Sequence, residues 1–151
     1  MSAETPHSGL ERQFLDTNIL VYAYDLSAGI RHDRARALLK ELWTHRNGCL
    51  SVQVLQEFHV TITHKVPHPI SSQESSQVIR DLSTWRLHAP DAVDVLAAIE
   101  LQERFQTSFW DAMIIYSATQ LDCPIVWSED LQSGQRFTSR RGATQIRNPF
   151  V

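Results

Sequence analysis

Apolar residues come in short runs broken by polar turns, and two spacings alternate along the chain. The first run, Phe14-Leu15, meets Asp16-Thr17-Asn18 and resumes as Ile19-Leu20-Val21-Tyr22-Ala23. Carboxylates are depleted from strands and seldom buried without partners. Asp and Asn favour turns and helix starts. Apolarity alone would let 19–24 continue as a strand, but the Thr17-Asn18 interruption favours a strand over 13–16 followed by a short helix. Over 31–45, Ala35, Leu38, Leu39 and Leu42 recur at helical spacing, with Gly48 as the stop. A strand over 49–51 leads to Ser51, a helix cap, and to Val54, Leu55, Phe58 and Ile62 on one helical face, with Glu57 at its edge. Pro67 and Pro69 close that helix.

Ser71-Ser72-Gln73-Glu74 is a capping-box signature for a helix to about residue 82. A third strand is expected over 87–89. A helix then opens at Pro90-Asp91, with Val95, Leu96, Ile99 and Phe105 expected to face inward. Ser108 opens a helix apolar nearly all round (Ala112, Met113, Ile114, Ile115, Ala118, Leu121), which places it at the centre of the fold. A fourth strand follows over 124–127, Gly134 marks a loop, and 144–146 reads as a last, edge strand. Strands alternating with helices predict an α/β protein, a parallel sheet wrapped by helices. In such a sheet Asp16 and Asp130 both follow strands and lie at one edge, where open α/β sheets hold their ligands.

The chain has 151 residues, enough for one domain with its own core, and its composition, 42% hydrophobic and 21% charged, excludes disorder and a membrane-embedded class. Residues 1–12 carry no periodic pattern and read as a flexible tail before a single domain over 13–151. That tail has no hydrophobic signal core, so a cytoplasmic protein is expected, with Cys49 and Cys123 as free buried thiols. The net charge of -3 hides an uneven distribution. Arg31, Arg34, Arg36, Lys40 and Arg46 cluster early, and Arg136, Arg140, Arg141 and Arg147 fall in a late segment without acids. The acids concentrate between Asp81 and Asp111. A basic face beside an acidic pocket fits this pattern, as does an ordinary solvated surface.

Four carboxylates stand at structurally marked positions: Asp16 after the first strand, Glu57 on an apolar helix, Asp111 opening the central helix, Asp130 after the fourth strand. Singly, each reads as a cap, a solvated edge or a turn residue. Together at one sheet edge they would repel unless a cation sat among them. An all-oxygen set suits magnesium or manganese rather than zinc, and His59, His64 and His68 have no regular ligand spacing.

Phe14-Leu15-Asp16-Thr17-Asn18-Ile19-Leu20-Val21-Tyr22 resembles the opening motif of PIN-domain nucleases, particularly the VapC-like toxins of prokaryotic toxin–antitoxin modules. Gln56-Glu57-Phe58 resembles the second motif of that family, Ser108-Phe109-Trp110-Asp111-Ala112-Met113-Ile114 the third, and Ser128-Glu129-Asp130-Leu131 with Gly134-Gln135 the fourth. The ordered set spans almost the whole chain after the tail. The resemblance implies a three-layer α/β/α sandwich with a central parallel sheet. It implies a metal-dependent endoribonuclease in which Asp16, Glu57, Asp111 and Asp130 hold Mg2+ or Mn2+, with Thr17 and Asn18 in support, leaving a 5′-phosphate and a 3′-hydroxyl. Glu129 competes with Asp130 for the fourth place, and the register selects Asp130. The resemblance also implies an RNA substrate, a cognate antitoxin and a homodimer. Val21, Tyr22, Trp43 and His45 are candidates for the protein-binding surface, and Arg31, Arg34, Arg36 and Arg136 for phosphate contacts. Trp110 reads as a core residue. A non-catalytic PIN-like RNA-binding or scaffold domain is the alternative. A phosphotransferase with Asp16 as nucleophile is disfavoured, because the second Asp it wants two residues on is Asn18.

Overall fold

The computed structural model describes residues 10–151; most of the expected tail over 1–12 lies outside the described residues. The chain alternates short strands with helices. In order these are β1 Gln13–Leu15, α1 Thr17–Tyr24, α2 Ile30–His45, β2 Gly48–Ser51, α3 Val52–His64, α4 Ser72–Leu82, β3 Arg86–His88, α5 Ala92–Phe105, α6 Phe109–Gln120, β4 Ile125–Trp127, β5 Arg136–Ser139 and β6 Gly142–Arg147. The strands form one sheet in the order β3-β2-β1-β4-β6-β5, parallel throughout except for antiparallel β5. Helices flank it as a three-layer α/β/α sandwich. Helix α1 packs on α2 and α3, α3 on α4, and α5 on α6, which itself lies across β2, β3, β4 and β6.

The caps follow from the sequence. Ser51, Ser71, Asp91 and Ser108 each accept a hydrogen bond from the third residue of the helix that follows, and Ser71–Glu74 and Asp91–Asp94 are reciprocal boxes. The core is continuous from Phe14, Leu15, Ile19 and Leu20 through Leu50, Phe58 and Ile62 to Ile115, Val126 and Ile146. Removing these apolar side chains from water is the main term holding the sheet between its helices. Cys49 and Cys123 are free and buried. Among the described residues no helix is long and apolar enough to cross a membrane.

Several expectations are corrected. The segment 144–146 is not an edge strand: it lies within β6, between β4 and β5, and the edge is β5. The edge strand escapes pattern reading because only Phe137 of its four residues is buried. Helix α2 does not stop at Gly48. Arg46, in the left-handed region at φ 55°, is its C-cap, and Gly48 opens β2 directly beneath the Trp85 ring. The α5 face is not inward: Leu96 is 67% exposed, Val95 and Ile99 are also exposed, and only Ala98 of that helix is fully buried. Phe105 alone of the expected set reaches the core, edge-on to Phe137 with ring centroids 4.7 Å apart. Trp110 is not a core residue; it is 61% exposed at the start of α6.

Candidate functional site

The backbone of β1 ends at Asp16, whose N–H donates to the Trp127 carbonyl at the end of the neighbouring β4. The two strand ends are thereby level. Asp16 takes the N-cap of α1, and its carboxylate accepts from the Thr17 N–H at 2.7 Å and from the Ser128 hydroxyl at 2.7 Å. The Ser128 hydroxyl oxygen also accepts from the Leu131 N–H, which fixes the turn bearing Asp130. Asp16 is buried, and that desolvation pushes its pKa up to about 6. The Ser128 and Thr17 hydrogen bonds act against the rise, while the negative charges of Asp111 and Asp130 add to it.

Glu57 reaches the same place from α3. It accepts from the Thr17 hydroxyl at 2.6 Å and from the Gln53 amide at 3.2 Å. That amide also donates to the Trp110 carbonyl, tying α3 to the first turn of α6, which carries Asp111. Asp16, Thr17, Asn18, Glu57, Asp111 and Asp130 all line one cleft of about 750 Å³. Its remaining walls include Asp25, Val21, Tyr22, Val60, Thr61, Lys65, Val66 and Pro67. Among the described residues no three His, Cys, Asp or Glu side chains stand close enough together to hold a metal ion. The acids thus share a cleft without forming a closed cage. The lining donors nevertheless suit a hard divalent cation: they are carboxylate, amide and hydroxyl groups, with no His or Cys. A buried carboxylate with its pKa raised beside two further acids is an environment that a cation would relieve.

Glu129 points elsewhere. It accepts from the Tyr22 hydroxyl at 2.7 Å and from Arg31 Nε at 2.6 Å. Its partial burial opposes ionisation, but these hydrogen bonds and the Arg31 charge outweigh it and hold its pKa below the ordinary value. Arg31 also lies over the Phe150 ring, 5.5 Å from its centroid. Asn18 accepts weakly from the Glu129 N–H at 3.5 Å, and its amide nitrogen is buried without a partner.

The arginines expected to meet phosphate do not line the cleft. Arg31 is closed on Glu129, Arg36 lies over the Tyr24 ring and donates to the Ala23 carbonyl, and Arg34 and Arg136 are exposed on α2 and β5. Of the proposed protein-binding residues, Val21 is buried, Tyr22 is engaged by Glu129, and Trp43 packs edge-on to Trp85. Three residues near the acids were missed. Ser128 stands inside a motif read only for its acids. Gln53 lies one helical turn before Glu57, a spacing at which side chains meet. Lys65 lies two turns after Glu57, in a stretch read only for its histidines.

A second polar line could be mistaken for a nucleophilic centre. His88 lies 2.7 Å from the Ser117 hydroxyl and 3.1 Å from Asp94. Ser117 is fully buried in α6, so no substrate reaches it. The line ties β3 to α5 and α6 instead.

The chain matches the PIN domain family over residues 14–134. No curated protein matches it by sequence. Among solved structures it is similar to Mycobacterium tuberculosis VapC20, described as a sarcin-ricin loop cleaving toxin, with 21% identity, 78% of this chain and 89% of that chain covered, and a TM-score of 0.62. It is similar to a chain of a toxin-antitoxin complex from Klebsiella pneumoniae (18% identity, 78% and 86% covered, TM-score 0.59). It is also similar to a chain of VapBC2 from Rickettsia felis, bound to a fragment of promoter DNA (18% identity, 90% and 97% covered, TM-score 0.58). At these identities the likeness is one of fold.

Proposed function

The chain belongs to the PIN-domain family, and from that premise we propose that it is a magnesium- or manganese-dependent endoribonuclease, the toxin of a toxin–antitoxin pair. The observation that carries this reading is Asp16: a carboxylate buried at the end of β1, raised to a pKa of about 6, with Asp111 and Asp130 adding negative charge to it. Structural caps have no need of that arrangement.

Asp16, Asp111 and Asp130, with Glu57, would hold the metal. When bound, the metal supplies a water of lowered pKa and stabilises charge developing on the phosphate. The chain's own residues prepare the site. The Ser128 hydroxyl and the Thr17 N–H hold the Asp16 carboxylate in one orientation and favour its charged form. The Thr17 hydroxyl and Gln53 hold both oxygens of Glu57. Fixing these side chains before substrate arrives removes reorganisation from the reaction. The bond broken is an RNA phosphodiester, water adding to phosphorus as the ribose 3′-oxygen leaves, so that the products carry a 5′-phosphate and a 3′-hydroxyl.

A cognate antitoxin and a homodimer belong to the same reading. The structural neighbours from Klebsiella and Rickettsia support the first. The exposed Val93, Leu96, Ile99 and Trp110 support a protein-covered surface near α5 and the start of α6, in addition to the exposed Ile30 and Trp43 of α2. The alternative, a non-catalytic RNA-binding or scaffold domain, is favoured by one observation, the open spacing of the acids.

One experiment separates the two. Purified protein is incubated with ribosomal RNA in manganese or magnesium, with and without chelator. Metal-dependent cuts bearing a 5′-phosphate, lost in Asp16→Asn and Asp111→Asn, are the expected result. RNA binding without cutting, unchanged by chelator, would establish the scaffold reading instead.

A further inference from the structure

We propose that Lys65 is the phosphate-binding cation of the acidic cleft, and that the RNA strand runs along one face of α3 from Glu57 past Thr61 to Lys65. This deepens the ribonuclease reading and rests on it. The three residues are spaced i, i+4 and i+8, so they stand one above another on the helix, and all three line the cleft. At 1.5 Å per residue, Lys65 stands ~12 Å from Glu57 along the helix axis, roughly three to four steps of a stacked strand. The phosphate it meets therefore lies a few nucleotides along the strand from the scissile one.

Charge makes this cation necessary. The cleft is lined by Asp16, Asp25, Glu57, Asp111 and Asp130, with Lys65 the one base among the described lining residues. A polyanion entering that cleft is repelled along its length unless a cation beyond the metal offsets it. The Lys65 ammonium makes no hydrogen bond or ion pair among the described residues, so its three donors are free for phosphate. Arg31 and Arg36, by contrast, are already engaged.

The backbone places Lys65 for the task. It is the C-cap of α3, its N–H donating to the Thr61 carbonyl at 2.8 Å, and Pro67 two residues on bars the helix from continuing. Val60, Val66 and Pro67 form an apolar wall on the same side of the cleft. Ribose and base faces pack against such a wall while the phosphate reaches the ammonium.

The test uses the full chain in two arms. In the first, Lys65→Ala, Lys65→Arg and wild type are compared for manganese-dependent cleavage of one labelled single-stranded RNA. KM is expected to rise about tenfold in Lys65→Ala, with kcat little changed and Lys65→Arg close to wild type. In the second, the same changes are made in the Asp16→Asn background, and binding of that RNA is followed by fluorescence anisotropy across a salt series. Removing one phosphate contact is expected to make the plot of log affinity against log salt shallower by about 0.7. Thermal melts confirm that the exposed position leaves the fold intact. A Lys65→Ala variant with wild-type KM and an unchanged salt slope overturns the proposal, as does a loss confined to kcat. A wild-type chain that cuts no RNA overturns the ribonuclease reading, while the binding arm still decides for Lys65.

Discussion

Replacing Asp16 by Asn should stabilise the metal-free protein near neutral pH, although it destroys the site. Asp16 has an ordinary pKa of 3.8 and a folded value of about 6. A carboxyl group raised on folding binds its proton more tightly in the native state than in the unfolded chain. Above the unfolded pKa the wild-type fold is therefore penalised. The penalty grows as pH climbs towards about 6 and is constant beyond it. The rise from 3.8 to about 6 corresponds to about 3 kcal/mol. At 2–4 °C per kcal/mol for a chain of this size, that is roughly 6–12 °C in melting temperature.

Asn is a neutral mimic of protonated Asp. Its carbonyl oxygen can keep the Thr17 N–H bond, and its amide can donate to the Ser128 oxygen in place of the bond now received. The assay is a melt of both proteins in chelator from about pH 4 to pH 8. The difference, variant minus wild type, should be smallest near pH 4, where both native states are neutral at this position, and should rise to a plateau above about pH 6. Manganese should then stabilise the wild type by about 2.7 kcal/mol at a hundredfold excess over the dissociation constant, raising its melting temperature, and leave the variant nearly unmoved. A difference flat with pH, with the variant less stable throughout, would refute the reasoning. Asp16 would then be a satisfied cap whose hydrogen bonds outweigh its burial.

Two further outcomes follow from the local geometry. Ser128→Ala removes a hydrogen bond that favours the Asp16 carboxylate and should cost about 1–3 kcal/mol; manganese affinity, followed by calorimetry against pH, should fail at a higher pH than in wild type. Gly48→Ala would drive a methyl group into the Trp85 ring and should lower stability by about 1–3 kcal/mol in a denaturant titration, with no effect on metal binding; an unchanged midpoint would show that Trp85 moves aside freely.

The alternation of strand and helix, the four helix caps at Ser51, Ser71, Asp91 and Ser108, and the strand-to-helix switch at Asp16 were all legible in the sequence. Each is set by local chemistry: a side-chain oxygen beside unpaired N–H groups, or a run of apolar residues at one spacing. The candidate acids were legible for the same reason, since a carboxylate breaking an apolar run is visible without a fold. Only the tertiary structure decided where neighbouring acids face. Glu129 and Asp130 are adjacent in the chain, yet Tyr22 and Arg31, about a hundred residues away, draw Glu129 out of the cleft that Asp130 lines. The same holds for Arg31, a plausible phosphate ligand by charge that is engaged by that carboxylate, and for Lys65, which reached the cleft unannounced. On α5 the sequence offered apolar residues at helical spacing but could not say whether anything in this chain covers them. Leu96 and Ile99 are exposed because the sheet is already covered there by α6. Periodicity reports that a face is apolar; what buries it is a property of the assembled layers.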